Sequence, residues 1–294
     1  GDREMKKKAV AVVMTAVMAL GMVSAVSVQA GIEDKTLIVG FDAEYPPYGY
    51  MDENGEYTGF DLELAQAVCD LEGWELEKKP INWDSKDMEL NSGSIDCIWN
   101  GFTMNGREDD YTFSEPYVDN SQVIVVADDS GIEKLTDLAG KTVGVQAASA
   151  ALDLLQSEEE GGQKELADTF GALNEFADYN TAFTELQAGA LDALAIDVGV
   201  AKYQLNSRGE GFKILDETLN TEQYAIGFKK GNTELCDIVN TDLQKLADDG
   251  TVAKLADKYE IADMVTLKAS DDAAADDTKE TSDEADADKT EESK

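Results

Sequence analysis

The 294-residue chain is 43% hydrophobic, enough for a sizeable core in one large or two ordinary domains. Its 62 acids against 24 Lys+Arg leave a net charge of -38, which repels nucleic acid and sets that class of partner aside. No histidine is present, which removes the usual general base, the Ser-His and Cys-His nucleophile systems and most zinc sites.

At the N-terminus, Met5 opens "MKKKAVAVVMTAVMALGMVSAVSVQA", a charged stretch, an apolar run and the small-x-small end Val28-Gln29-Ala30. This pattern predicts a signal peptide over residues 1–30, counting the four residues ahead of Met5, with cleavage after Ala30 and an extracytoplasmic mature protein. A retained anchor is the alternative, because the run is nearly long enough to span a bilayer. At the other end, residues 270–294 carry 11 acids, 3 lysines and nothing apolar larger than alanine. Such a segment cannot bury enough surface to order itself, so residues 269–294 read as a disordered acidic tail.

Between these ends, strand and helix signals alternate. "KTLIVGF" from Lys35 reads as a strand leading into the loop "DAEYPPY", and Asn54-Gly55 marks a hairpin turn. Asp61 is placed to cap a helix whose Leu64, Ala65, Val68 and Leu71 form one apolar face, stopped by Gly73. The stretch "ELNSGSIDCIWN" from Glu89 is echoed 96 residues later by "ELQAGALDALAID" from Glu185, each a helix end, a glycine cap and a short buried strand. "KTVGVQAASA" from Lys141 likewise echoes "KTLIVGFDAEY", and Asn180 is placed to cap a helix stopped by Gly189. A last strand is expected over "YAIGF", 224–228. Cys69, Cys97 and Cys236 match no metal spacing and each lies in an apolar segment, so they read as buried thiols, with one disulfide left open. The alternation argues for parallel sheets covered by helices, in two α/β lobes with the second inserted in the first.

In open α/β sheets ligands sit outside the carboxyl ends of strands, here 42–48, 100–107, 146–150 and Asp197. Arg107, in "NGREDDY", is one of only three arginines, with Arg3 and Arg208, in a chain that otherwise uses lysine. A guanidinium fork grips a carboxylate through two parallel bonds, which an ammonium cannot do. The plainer reading is a solvated arginine at a helix start, paired with Glu108 or Asp110. Asp197, after an apolar strand, can bind an ammonium or cap the next helix. One bidentate cation facing one carboxylate across a cleft fits an α-amino acid. Tyr45, Tyr48 and Trp83 come from short loops and can wall an aliphatic ligand or pack in the core. Asp42 and Glu44 lean towards a polar or cationic ligand side chain, or are merely solvated.

Taken in order, "VGFDAEYPPYGY", "GEYTGFDLELAQAV", "LNSGSIDCIWNGFTMNGRE", "YTFSEPY", "KTVGVQAASA" and "LQAGALDALAID" resemble the extracytoplasmic amino-acid-binding proteins of polar amino acid ABC importers, bacterial solute-binding protein family 3. The resemblance spans residues 35–262. It implies a type II periplasmic-binding-protein-like α/β fold with residues 31–124 and 221–268 in lobe one, 125–220 in lobe two, and two hinge crossings near 123–128 and 217–224. It further implies Arg107, Thr103 and the Gly101 N–H at the ligand α-carboxylate, joined by the amides of Ser149 and Ala150. Asp197 would take the α-ammonium, Tyr45 and Trp83 would flank the ligand, and Asp42 would contact its side chain. The implied partners are a permease pair and its ATPase, with the binding protein a monomer that needs no cofactor or metal and is no enzyme. Two departures stand out: Asn105-Gly106-Arg107 is one residue shorter than the family's Thr-Pro-Glu-Arg, and 147–150 lacks the usual glycine and second hydroxyl. Two rivals use the same scaffold, a cyclohexadienyl-dehydratase-like enzyme employing Asp42 or Glu44, and the sensor domain of a receptor.

Overall fold

The computed structural model describes residues 35–271. The expected signal peptide and nearly all of the acidic tail lie outside these residues. Of the tail, residues 269–271 are described, and the Ser270 N–H donates to Asp248 Oδ1 at 2.7 Å, so the last anchored residue lies slightly beyond 268. Among the described residues no helix is long and apolar enough to cross a membrane.

The chain begins with β1 (Thr36–Phe41), then β2 (Glu44–Tyr45), β3 (Gly49–Met51) and β4 (Tyr57–Thr58), the last three forming a small antiparallel sheet. There follow α1 (Phe60–Glu72), β5 (Glu75–Pro80), a 3₁₀ turn at Trp83–Ser85, α2 (Lys86–Ser92), β6 (Cys97–Ile98) and β7 (Tyr111–Phe113). The long β8 (Val118–Ala127) leads, past a 3₁₀ turn at Leu135–Leu138, to β9 (Thr142–Gln146), α3 (Ala150–Gln156), α4 (Lys164–Ala167), β10 (Ala172–Phe176), α5 (Tyr179–Gln187), β11 (Ala193–Asp197), α6 (Val198–Arg208), β12 (Phe212–Ile214) and β13 (Asn220–Tyr224). The described chain closes with β14 (Gly227–Lys229), α7 (Thr233–Asp248) and α8 (Thr251–Lys258).

Two mixed sheets result. The first has the order β5-β1-β6-β14-β7, parallel among β5, β1 and β6, with β14 antiparallel to both of its neighbours. The second has the order β10-β9-β11-β8-β12, with β13 also on β8. Central strands are buried from end to end, as β11 (ALAID) is, because helices cover both faces. The edge strand β5 (ELEKKP) instead alternates and carries charges, which discourages further pairing.

Helix α1 shows how local sequence becomes packing. It buries Leu62, Leu64, Ala65, Val68 and Cys69, each large apolar side chain contributing roughly 1.5–3 kcal/mol. Leu71, expected on that face, is exposed. Gly73 ends the helix at φ +67, its N–H bonded to the Cys69 carbonyl. The cap is Gly59, not Asp61: Asp61 lies inside the first turn and points into the core. In α5 the cap is likewise Asp178, whose Oδ1 accepts the Thr181 N–H at 2.7 Å, two residues before Asn180. The expected strand 224–228 is broken, β13 ending at Tyr224 and β14 starting at Gly227. All three cysteines are free and buried.

The chain passes between the sheets twice, and those passes are paired. β13 runs antiparallel to the first half of β8, with Gln122 opposite Asn220, Asn120 opposite Glu222 and Val118 opposite Tyr224. Residues 123–126, expected at the first crossing, instead register with β11 inside the second sheet. The continuous apolar run Val123–Val126 demands burial on both faces, which its place beside β11 and the covering helices supply, while residues 118–122 of the same strand pair with β13.

Gly59 stands at φ +133, and a Cβ there would lie 2.2 Å from the Tyr48 carbonyl oxygen. Gly59→Ala therefore costs about 2 kcal/mol or more in urea unfolding, since only glycine occupies that backbone region without strain; an unchanged urea midpoint would contradict this account of the turn.

Candidate functional site

The carboxyl ends of the parallel strands of the two sheets face each other, and the residues following them meet. Asp42 follows β1 and is buried; its Oδ1 accepts the Glu44 N–H at 2.9 Å and its Oδ2 accepts Gln146 Nε2, from the end of β9, at 2.7 Å. Burial pushes its carboxyl up to about 6, against the pull of these bonds. Trp83 opens its 3₁₀ turn edge-on to Phe102, ring centroids 5.7 Å apart, and so belongs partly to a core cluster with Ile98 and Tyr111. A cavity of about 390 Å³ beside it is lined by Asp42, Glu44, Trp83, Ser85, Glu89 and Asp178, and no lysine or arginine lines it.

Arg107 is not paired with Glu108 or Asp110. Its guanidinium carbon lies 5.0 Å from the Phe102 ring centroid, Nη1 donates to the Thr103 carbonyl at 3.3 Å, and Nη2 donates to Asp153 Oδ2 of α3 at 2.7 Å. The Arg107 side chain is 13% exposed and that of Asp153 is 62% exposed, so the pair is worth little and the solvated carboxylate is easily exchanged. A cavity of about 440 Å³ is lined by Thr103, Arg107, Ala150, Asp153, Thr221 and Glu222. Ser149 caps α3, its Oγ accepting the Leu152 N–H at 3.2 Å. Ala148 stands at φ +54, and its carbonyl accepts from Lys86 Nζ at 3.2 Å, a contact between α2 and the loop after β9.

Asp197 ends β11 and is 3% exposed. Its Oδ1 accepts from Asn120 Nδ2 at 2.7 Å, Gln122 Nε2 at 2.6 Å and the Tyr224 hydroxyl at 2.6 Å, and the Tyr179 hydroxyl lies 3.5 Å from Oδ2. Burial first, and the Glu222 charge second, raise its carboxyl to about 6. The Tyr45 hydroxyl lies 3.2 Å from that of Tyr224; because Tyr224 gives its proton to Asp197, Tyr45 is the donor between them. The Tyr45 ring centroid is 6.0 Å from that of Tyr179.

Gly101 departs from expectation. At φ +55 its N–H turns inward and donates to Asp61 Oδ2 at 2.5 Å, so it is committed to the core and not offered to the cleft. Asp61 Oδ1 also accepts the Tyr117 hydroxyl at 2.8 Å, and complete burial lifts its carboxyl to about 7. Of the other sequence candidates, Thr103, Arg107 and Ala150 line one cavity and Asp42 and Trp83 another, Tyr45 and Asp197 are linked through Tyr224, and Ser149 is spent as the cap of α3. Sequence reasoning missed Lys86, Asn120, Gln122, Asp153 and Glu222. For Glu222 a signal existed, since it shares with the buried Tyr224 one face of an alternating strand.

The model of the bacterial extracellular solute-binding proteins, family 3, matches residues 37–262. This chain belongs to that family. Among its relatives, the arginine-binding extracellular protein ArtP of Bacillus subtilis is 33% identical over 259 residues, covering 86% of this chain and 98% of ArtP. The L-cystine-binding protein TcyJ of Escherichia coli K12 is 29% identical over 260 residues, 84% of this chain and 94% of TcyJ. The crystal structure of an ABC uptake transporter substrate-binding protein from Streptococcus pneumoniae with bound histidine matches with a TM-score of 0.74 at 33% identity, covering 79% of this chain and 95% of that one.

Asp42, Asp61 and Asp197 all have folded-state pKa values above the unfolded value of about 3.9. Between about pH 4 and 7 the native state therefore holds more protons than the unfolded chain, and stability falls as pH rises through that window. Urea unfolding should give a free energy lower at pH 7.5 than at pH 5 by on the order of 3 kcal/mol, and Asp61→Asn should flatten the slope. A stability that rises over the same window would refute the assignment.

Proposed function

We propose that the chain binds an α-amino acid with a cationic or polar side chain between its two α/β units and delivers it, outside the cytoplasm, to the membrane complex of an ABC importer. The observation that carries the reading is the polarity of the cleft. Among the described residues, Arg107 is the only basic one lining its cavity, beside the carboxylates of Asp153, Glu159, Glu160 and Glu222; Asp197 offers a buried carboxylate; and the cavity at Trp83 is lined by four carboxylates and no basic residue. An α-carboxylate on Arg107, an α-ammonium at Asp197 and a cationic side chain beside Asp42, Glu44 and Asp178 satisfy all three. The relatives named for arginine, cystine and histidine support an amino acid as the ligand.

Residues 35–117 and 225–268 form one moving unit in this reading and 123–219 the other, with the paired segments 118–122 and 220–224 as the hinge. Closure brings Asp42 to Gln146, Lys86 to the Ala148 carbonyl and Arg107 to Asp153. A ligand touching both units favours the closed form, which a transporter can recognise. The protein acts as a monomer with a permease pair and its ATPase, and carries out no chemistry on its ligand.

Calorimetric titration of the full chain against the common amino acids and cystine tests this. One or a few ligands, with arginine, lysine and histidine ahead of glutamate and aspartate, should bind in the micromolar range or tighter. Arg107→Ala should weaken that binding by roughly 10²- to 10³-fold, the cost of truncating one partner of a hydrogen-bonded charge pair. Binding indifferent to Arg107, or turnover of prephenate or arogenate, would replace the transport reading.

A further inference from the structure

Glu222 of β13 is 5% exposed and lies where the two crossing strands meet the cleft. Its Oε1 accepts from Thr103 Oγ1 at 2.7 Å, Asn120 Nδ2 at 2.8 Å and Gln122 Nε2 at 2.7 Å. The same two amide nitrogens donate to Asp197 Oδ1, at 2.7 and 2.6 Å. Two carboxylates are thus held side by side by two carboxamides, each of which spends both of its N–H donors on the pair. Among the described residues neither carboxylate has a lysine or arginine nitrogen in ion-pair contact. A buried anion without a counter-charge is costly, and two adjacent ones more so, so this junction favours an incoming cation.

The hydroxyl of Thr103 decides which group of the ligand comes here. A threonine hydroxyl has one proton, and Thr103 gives it to Glu222. Its remaining lone pairs can only accept. Thr103, which lines the Arg107 cavity, therefore meets an N–H donor and not a carboxylate oxygen.

We infer that Glu222 is a positioning residue of the ammonium end of the cleft, which turns the Thr103 hydroxyl into an acceptor and, beside Asp197, doubles the negative charge that selects a protonated α-amine. The inference deepens the amino-acid reading above and rests on it. The charged and titratable groups around Glu222 are Asp197 from β11, Tyr179 from α5 and Tyr224 on its own strand, with Arg107, Asp153, Glu159 and Glu160 across one cavity and Asp119, Lys202 and Asp263 across another. The acidic cavity makes L-arginine the first probe, paired with its des-amino analogue 5-guanidinopentanoate, and the tightest amino acid of the titration replaces it if arginine is not that ligand.

The test is calorimetry on the full-length wild type, Glu222→Gln and Glu222→Asp across pH 4.5–8. Glu222→Gln should weaken L-arginine by about 10- to 100-fold, the range of a charge-assisted bond, and change the des-amino analogue by no more than about threefold. Wild-type affinity should fall on acidification below about 6, where Asp197 gains its proton; without the Glu222 charge that Asp197 feels, the fall should begin at lower pH. Glu222→Asp, which keeps the charge, should retain most of the preference for the amine. Equal weakening of both ligands, an unmoved pH profile, or full discrimination in Glu222→Gln would overturn the role of Glu222 and leave the amino-acid site standing. A wild type that binds no amino acid at all would overturn both.

Discussion

The pairing of β13 with the first half of β8 is the constraint on which the rest of this structure depends. It carries the chain from one sheet to the other and back, and it places Asn120, Gln122, Glu222 and Tyr224 at one point. All of these are buried; their N–H and O–H donors find partners from both units, with Thr103 from one and Asp197 from the other, while Asn120 Oδ1 and Gln122 Oε1 have no protein partner among the described residues. A network of this kind is stiff when complete and costly when broken. The proposed hinge and the proposed ammonium end of the cleft therefore share the same bonds.

Charge is distributed against the background of the chain. A protein of net charge -38 repels anions at long range, so a carboxylate ligand needs a local cation whose geometry compensates. In the proposed reading Arg107 supplies it, stacked on Phe102 and anchored to the Thr103 carbonyl, with a solvent-exposed aspartate to displace. For the cationic parts of a ligand the background works the other way. Among the described residues, Asp42, Glu44, Glu89 and Asp178 line one cavity with no basic residue beside them and need no special arrangement to attract a cation.

Several residues of the candidate site were legible in the sequence because strand ends announce themselves. An apolar run followed by a charged or aromatic residue marks where a parallel strand leaves the sheet, and Asp42 and Asp197 stand at such points with Tyr45 close behind, whereas Arg107 lies well past β6 and was marked by the rarity of arginine. Caps were less legible. Asp61 and Asn180 have the side chains of helix caps, yet Gly59 and Asp178 hold those places, because the close approach of the Tyr48 carbonyl admits only glycine at 59 and the backbone enters α5 two residues early. The Gly101 N–H failed as a ligand donor for a related reason: a buried carboxylate 40 positions earlier in the chain claims it.

By itself the sequence determined the alternation of strands and helices, the apolar runs that must be buried on both faces, and the rarity of arginine that singles out Arg107. Those are properties of local pattern and composition, and they survive any arrangement of the elements. Tertiary structure decided which polar groups share a site. Glu222 and Thr103 are 119 residues apart and Arg107 and Asp153 are 46 apart, and no local periodicity relates them. Their meeting follows from strand register, and register is set by the burial of whole faces, not by the residues that come to stand in the cleft.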